Sequence, residues 1–417
     1  MRVLGIIAEY NPFHYGHLYH LMKSKELIQP DFVIAVQSGN FTQRGEAAIT
    51  DKWIRAEAAV HCGADLVLEL PVVYAVQTAE LFAYGAVQTL NHTGLTDYLS
   101  FGSEIDDLEQ LKAIAELFVP ENPIYQNSLK SFLQQGLSFP AARCQAILHD
   151  LAPSSEESAG TIKRILSDSN SILAVEYLKA LKRTGSPIAP VTVHRIRSSY
   201  GSQRIKKGIT SAASIRKEIL QHGLDSKVEN AVPQAVFRIL SDAFAHGMGP
   251  VRTESLENLL LGILRRSSTA EIKSWMDVSE GLENRIQKSA QNASSLEDLI
   301  LSMKTRRYTQ TRLQRILIHG LIDLTTEAFR AMNDDTGPKY LRILAFSEHA
   351  APLLKQLKKT ARVPIITKAA HIAREKKPVQ EMFAFDRLAG DLYSLGMKNP
   401  NGRKGDRDFT HRILPIP

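Results

Sequence analysis

The first 110 residues alternate short apolar runs with longer stretches of mixed polarity. The runs at 3–7, 32–37, 65–70 and 98–101 are rich in Val, Ile, Leu or aromatic residues and have the length of buried strands. Between them, 15–27, 51–61 and 76–90 read as helices. This alternation predicts a parallel sheet with helices on both faces. A further run at 190–196 predicts one more strand.

Past about residue 214 the strand signals fade. Ser268-Thr269-Ala270-Glu271 and Ser294-Ser295-Leu296-Glu297 fit the capping-box pattern of a helix start. Leu313, Ile316, Leu317 and Leu324 recur at helical spacing. The stretch 215–335 is therefore expected to be mainly helical. Short β-like runs at 341–346 and 363–367 predict a small mixed unit near 337–375, and the polar stretch 399–408 reads as a mobile loop. The expected division is an α/β domain over 1–215 and a mainly helical region over 216–417.

Charge sharpens that division. Residues 1–215 carry 19 Lys and Arg against 21 Asp and Glu, and residues 216–417 carry 32 against 23. A near-neutral first half followed by a basic second half suits a catalytic domain joined to a polyanion-binding region. Cys62 and Cys144 cannot form a disulfide framework and lack metal-ligand spacing. The apolar run at the N-terminus is too short for a signal peptide, and no stretch approaches the ~18 residues of a membrane span. A cytoplasmic protein with no membrane association is expected, and nothing in the sequence predicts a protein partner.

The strongest local signal is Gly5-Ile6-Ile7-Ala8-Glu9-Tyr10-Asn11-Pro12-Phe13-His14-Tyr15-Gly16-His17. A buried strand runs into a polar loop that opens a helix. In an open α/β sheet this first strand–helix junction is where ligands bind, and the helix start presents unpaired N–H groups to phosphate. His14 and His17 lie three residues apart on the first helical turn, with Gly16 leaving room for a nucleotide. Imidazoles so placed can donate hydrogen bonds to phosphates as charge develops during attack at phosphorus. A zinc site would need a third ligand and wider histidine spacing, so no metal ligands are assigned.

This segment resembles the His-x-Gly-His nucleotidyltransferase superfamily, whose catalytic domain is a Rossmann-like parallel sheet. Further segments narrow the resemblance: Ser38-Gly39-Asn40-Phe41-Thr42-Gln43-Arg44-Gly45-Glu46, Asp51-Lys52-Trp53, Gly63-Ala64-Asp65-Leu66-Val67-Leu68-Glu69-Leu70-Pro71 and Phe101-Gly102-Ser103-Glu104. Together they are similar to the bacterial tRNA(Met) cytidine acetate ligase family. The resemblance implies ATP and free acetate as substrates, an acetyl-adenylate intermediate, and acetylation of the wobble cytidine of elongator tRNA(Met) with release of AMP and diphosphate. It implies an ATP-binding loop formed by Ile7, Ala8, Glu9, Tyr10, Asn11, Pro12, Phe13, His14, Tyr15, Gly16, His17, Leu18, Tyr19 and His20, with His14 and His17 as the catalytic phosphate pair. It also implies nucleotide contacts at Gly102, Asn170 and Arg195. Asn170 lies near a helix start, where an ordinary cap is an equal reading; Arg197 competes with Arg195. Mg²⁺ is expected from triphosphate chemistry, without identifiable ligands.

Related adenylyltransferases close a Ser-Ser-Thr-x-Ile-Arg element over the phosphates. Here the stretch reads Ser211-Ala212-Ala213-Ser214-Ile215-Arg216. The threonine position is Ala213, and helix capping is as good a reading for the serines. Arg216, Arg44 and Lys52 remain candidate phosphate contacts. In the basic half, Arg306, Arg307 and Tyr308 precede a helix on which Arg312, Arg315 and His319 share one face. Basic side chains beside an aromatic suit an RNA backbone and an unpaired base, which makes Arg306, Arg307, Tyr308, Arg312 and Arg315 the candidate tRNA contacts. Lys355, Lys358, Lys359 and Arg362 form a second basic run. Two other readings stay open: an adenylyltransferase for a phosphorylated metabolite, and a non-catalytic RNA-binding protein with a relic nucleotide site.

Overall fold

The computed structural model describes residues 1–105, 107–116, 118–119, 123–151, 156–195, 211–279, 281–413 and 415–417. Eight strands among them form one sheet: β1 (Val3–Ala8), β2 (Phe32–Ser38), β3 (Leu66–Leu70), β4 (Tyr98–Ser103), β5 (Ala189–His194), β6 (Leu341–Ser347), β7 (Ile365–Ile366) and β8 (Pro415–Ile416). Their order is β5-β4-β1-β2-β3-β6-β7, with β8 also paired to β6. β1 to β5 pair in parallel, as the alternation of runs predicts, whereas β6 runs antiparallel to β3.

The apolar runs form strands because both faces are covered. Along β1, Val3 packs with Ile34, Val87 and Leu90, while Leu4 and Ile6 pack with Leu21 and Ile28 on the other face. Val87 and Leu90 belong to α3 (Ala79–Thr93), and Leu21 and Ile28 to α1 (Tyr15–Ile28). A continuous apolar run is what a strand sandwiched between helices requires. α2 (Lys52–His61) covers Ala35 and Val67 on the α1 side.

The chain moves outward from β1 through β2 to β3, then α3 carries it back to β4 on the far side of β1. The order of connection thus reverses between β1 and β4, and a crevice opens at their carboxyl ends. α4 (Ser169–Arg183) packs on α3 and β4.

From α5 (Ala212–His222) to residue 332 the described secondary structure is helical apart from an isolated bridge at Trp275. The Ser268/Glu271 capping box is present. At the second predicted start Ser295, rather than Ser294, is the cap, and its side chain accepts from the Asp298 N–H. α6 (Gln310–Leu321) buries Leu313, Ile316 and Leu317 and clamps the loop after β2. Gly45 in that loop takes φ 75°, and a Cβ on it would come within 2.4 Å of the Arg315 backbone nitrogen. Only glycine fits there.

Two expectations need correction. The strands predicted near 337–375 do not form a small unit of their own: β6 adds to the edge of the N-terminal sheet and carries β7 with it. The polar stretch 399–408 is not a mobile loop either. It folds into two short helical turns, and Asp408 is buried. Its polar side chains find partners inside the protein, which polarity alone cannot reveal.

Candidate active site

At the carboxyl end of β1 the chain turns sharply. Tyr10 adopts φ 47°, a left-handed conformation that costs a bulky residue about 1–3 kcal/mol. Its buried ring holds it there, 4.8 Å from Phe13 and 5.1 Å edge-on to His17. The Asn11 side chain accepts the Ile49 N–H at 2.8 Å, and the Arg55 guanidinium donates to the Glu9 carbonyl at 2.6 Å. Arg55 also donates to the carbonyls of Ser38 and Gly39, binding the loop after β2 to the loop after β1.

α1 begins with an unusual cap. His14 occupies the N-cap position, and its Nδ1 accepts the Gly16 N–H at 2.9 Å. The Nδ1 of His17 accepts the His14 N–H at 3.3 Å, so two imidazoles complete a capping box. The rings stack with centroids 3.9 Å apart. A neutral imidazole has one acceptor and one donor. With Nδ1 engaged as acceptor in both rings, the hydrogen-bond pattern assigns the proton to Nε2.

The surroundings keep these rings neutral. Burial pushes the His14 pKa down to about 3, reinforced by Arg195 and Arg216. His17 is pushed well below its ordinary value by burial, then by His14, Arg195 and His20. His20 is pushed down to about 4 by burial and Arg195. The first turn of α1 therefore offers N–H donors without a resident positive charge.

A cavity of about 350 Å³ opens at the crevice. From the predicted loop it is lined by Ile7, Ala8, Glu9, Tyr10, Gly16, His17, Tyr19 and His20. His14 is buried behind His17 and does not line it; nor do Asn11, Pro12, Phe13, Tyr15 and Leu18. Asn11 and Phe13 act as buried supports, and Tyr15 faces solvent. The contribution of His14 passes through the cap it shares with His17.

The opposite wall unites three residues from separate elements. Arg195, at the end of β5, donates from Nη1 to the Asn170 side-chain oxygen at 3.1 Å. Its aliphatic stem crosses Gly102, where a Cβ would lie 3.0 Å from the Arg195 Cγ. Asn170 is not the cap of α4. Asp168 is, accepting the N–H groups of Asn170 at 3.0 Å and Ser171 at 2.8 Å, which releases the Asn170 amide toward the cavity. Arg197, the competitor of Arg195, lies outside the described residues.

The remaining candidates separate. Arg44 is exposed on the cavity rim. Arg216 donates to the Asn11 carbonyl and to Glu46, both at 3.0 Å; it braces the loop from behind and lines a neighbouring cavity. Ser211 caps α5, accepting the Ser214 N–H. Lys52 is a correction: it is buried, with Nζ 2.8 Å from Glu69 and 2.7 Å from Asp408, and it does not line the site. Being buried without carboxylate partners would have been prohibitive for a lysine, so its partners decide its place.

The predicted RNA-facing set is also corrected. Tyr308 and Arg315 are buried, and Arg315 pairs with Asp277 at 3.2 Å. Arg312 donates to the Asp277 carbonyl at 2.9 Å and lies over the Tyr308 ring. His319 is buried between the carbonyls of Val76 and Met276. These side chains tie α6 to the turn at 275–279. Arg306 and Arg307 are exposed, as are Lys355, Lys358, Lys359 and Arg362. Among the described residues no group of three His, Cys, Asp or Glu is placed to hold a metal ion, and no helix is long and apolar enough to cross a membrane.

Sequence reasoning missed Gln43, Phe82, Phe101, Leu173 and Tyr177 in the cavity wall. Gln43 and Phe101 sit inside segments singled out above, but nothing in their type marks them as ligand-facing.

A parallel sheet whose crevice holds a helix start, two neutral imidazoles and an arginine defines a nucleotide-handling transferase. A profile of the family described as HIGH Nucleotidyl Transferase matches residues 1–408. A protein of Thermoanaerobacter sp. called tRNA(Met) cytidine acetate ligase is 44% identical over the full length of both chains. Its namesake in Acetivibrio thermocellus is 43% identical, covering 99% of this chain and all of the relative. The crystal structure of Thermotoga maritima TmcAL bound with alpha-thio ATP superposes with a TM-score of 0.92 at 35% identity, covering both chains completely. The chain belongs to the tRNA(Met) cytidine acetate ligase family, and it is an enzyme.

Proposed function

We propose that the protein uses ATP to activate free acetate and transfers the acetyl group to the wobble cytidine of elongator tRNA(Met). In the first step an acetate oxygen attacks the α-phosphorus of ATP and diphosphate leaves. In the second the cytidine amine attacks the acetyl carbonyl and AMP leaves. The observation that supports this most is the imidazole cap of α1. His17 lines the cavity with its Nδ1 engaged and its Nε2 protonated, a neutral donor for an entering triphosphate that carries no desolvation cost of a fixed cation. Arg195, held by Asn170, supplies a positive charge facing His17. Such a site works by positioning and by stabilising charge at phosphorus, and needs no protein nucleophile.

Mg²⁺ would enter with the nucleotide, held by phosphate oxygens and water. The described residues offer no ligand cluster for it, so no step is drawn through the metal. Arg306, Arg307 and the run from Lys355 to Arg362 are exposed cations suited to the tRNA backbone. The cytoplasm, where tRNA is found, is the compartment this activity requires.

The test is isotope exchange between diphosphate and ATP, followed by acetylation of tRNA(Met) with labelled acetate. Exchange that requires acetate, together with label on the wobble cytidine, is the expected result. Exchange requiring a phosphorylated metabolite would instead indicate an adenylyltransferase, and absence of exchange a binding protein.

A further inference from the structure

The second step leaves one requirement unmet by the groups named so far. The exocyclic amine of cytidine is a poor nucleophile, and as its nitrogen bonds to the acetyl carbon a proton must leave. Most polar groups of the cavity wall are unsuited to accept it. The Nδ1 of His17 already accepts a backbone N–H, leaving a protonated Nε2. The Nε2 of His20 is engaged with the Ser100 hydroxyl at 3.0 Å. Tyr10 and Tyr177 are held protonated by burial. Arg44 and Arg195 have no proton-accepting form at working pH. His194 stands exposed at the rim.

Glu9 remains. It is the single carboxylate among the residues lining the cavity, one residue before the Tyr10 turn. Its carboxylate is aimed by the Gln43 N–H, 2.7 Å from Oε1, and Gln43 is in turn anchored to the Gln77 carbonyl at 2.7 Å. Its backbone is fixed by Arg55. This is a carboxylate on the rigid end of a strand, buttressed from two sides, to which the first step as written assigns no proton transfer. Resting on the proposed function above, we infer that Glu9 is the general base of acetyl transfer, taking the proton from the cytidine amine. As the C–N bond forms, the bond between the acetyl carbon and the phosphate oxygen breaks with its electron pair going to AMP, and the amine proton passes to Glu9.

The surroundings suit the role. Burial raises the Glu9 pKa from the ordinary carboxylate range, opposed by the Gln43 N–H, Arg216 and Arg55 and aided by Glu46. Tyr177 of α4 and the neutral His17 and His20 of α1 face the same cavity. A carboxylate whose affinity for the proton is raised by burial is a better proton acceptor. Once it has taken the proton, Glu9 is a neutral carboxylic acid. Glutamine mimics that neutral form in size and hydrogen bonding, but cannot take the proton.

The experiment uses the full-length enzyme, with acetate-dependent exchange and single-turnover acetyl transfer measured side by side. For Glu9→Gln, acetyl transfer is expected to fall by about a hundredfold or more, a loss at least about tenfold larger than any loss in exchange. The acid limb of the wild-type transfer rate, displaced above the usual carboxylate range, should disappear in Glu9→Gln and persist in Glu9→Asp. Transfer within about threefold of wild type, or an acid limb surviving in Glu9→Gln, overturns the assignment. So does equal loss of both half-reactions, which marks a positioning role. If wild-type enzyme shows no acetate-dependent exchange, the proposed function fails first and takes this inference with it.

Discussion

Lys52 gives the sharpest separation between a surface cation for phosphate and a buried structural one. Its Nζ lies 2.8 and 3.0 Å from the two Glu69 oxygens and 2.7 Å from Asp408. Arg342 completes the group at 3.3 Å from Glu69 and 2.7 Å from Asp408. Two cations thus balance two carboxylates, all buried. Burial opposes the charge on Asp408, but Lys52 and Arg342 outweigh it and hold the carboxyl below its usual range. Lys52→Met keeps much of the side-chain volume and leaves one carboxylate uncompensated. Breaking a buried pair from one side costs about 3–5 kcal/mol. With an unfolding entropy of about 2.1 cal/mol/K per residue, a chain of 417 residues should lose about 3–6 °C in Tm.

The pH dependence of that loss has a definite sign. In the variant the surplus carboxylate has a folded-state pKa raised above its unfolded value of about 4. The folded variant then binds a proton that the unfolded chain releases, so its deficit against wild type is full at high pH and shrinks as pH falls toward 4. Thermal unfolding at pH 5 and pH 8 reads this directly, with KM for ATP in the exchange assay as the second measurement. An unchanged Tm with a KM raised about tenfold would mean that Lys52 meets phosphate and that the buried quartet is wrongly drawn.

Other residues make further demands. His17→Ala removes a donor and half of the α1 cap, and should lower kcat for exchange by about 10²–10³-fold with no comparable loss of ATP binding. Gly102→Ala places a Cβ 3.0 Å from the Arg195 Cγ; an off-rotamer arginine costs about 0.5–1.5 kcal/mol, so titration should show ATP bound roughly two- to tenfold more weakly. A normal affinity would mean that Arg195 moves aside freely. Arg306→Ala with Arg307→Ala should reduce the salt dependence of tRNA binding by about one to two units of slope and spare exchange; an unchanged slope places the RNA elsewhere.

The parallel strands and the α1 junction were legible because each depends on local pattern: an apolar run, a cap, a histidine pair beside a glycine. Gly102, Asn170 and Arg195 were reached only through resemblance, since three elements far apart in sequence must fold before Arg195 lies across Gly102. The errors share a cause. Lys52, Arg312, Arg315 and Tyr308 were read as outward because charge and hydroxyls usually face water. Asp408, a partner of Lys52, lies 356 residues away, and Asp277, the partner of Arg312 and Arg315, lies 35–38 away; periodicity carries no information about such distant pairing. The same blindness made 399–408 look like a loose tail.

The antiparallel β6 strand covers the edge of β3, and the parallel strands β1 to β5 were synthesised long before it. Until β6 leaves the ribosome β3 presents an unpaired edge, and from the synthesis of Glu69 to that of Asp408 Lys52 has only one of its two carboxylates. At about 5–20 residues per second that interval is on the order of 20–70 s, long enough for chaperones to occupy the open edge. Premature termination after the sheet's parallel strands but before residue 408 therefore yields a protein with an intact histidine motif and an unfinished scaffold, a candidate for degradation rather than a crippled enzyme.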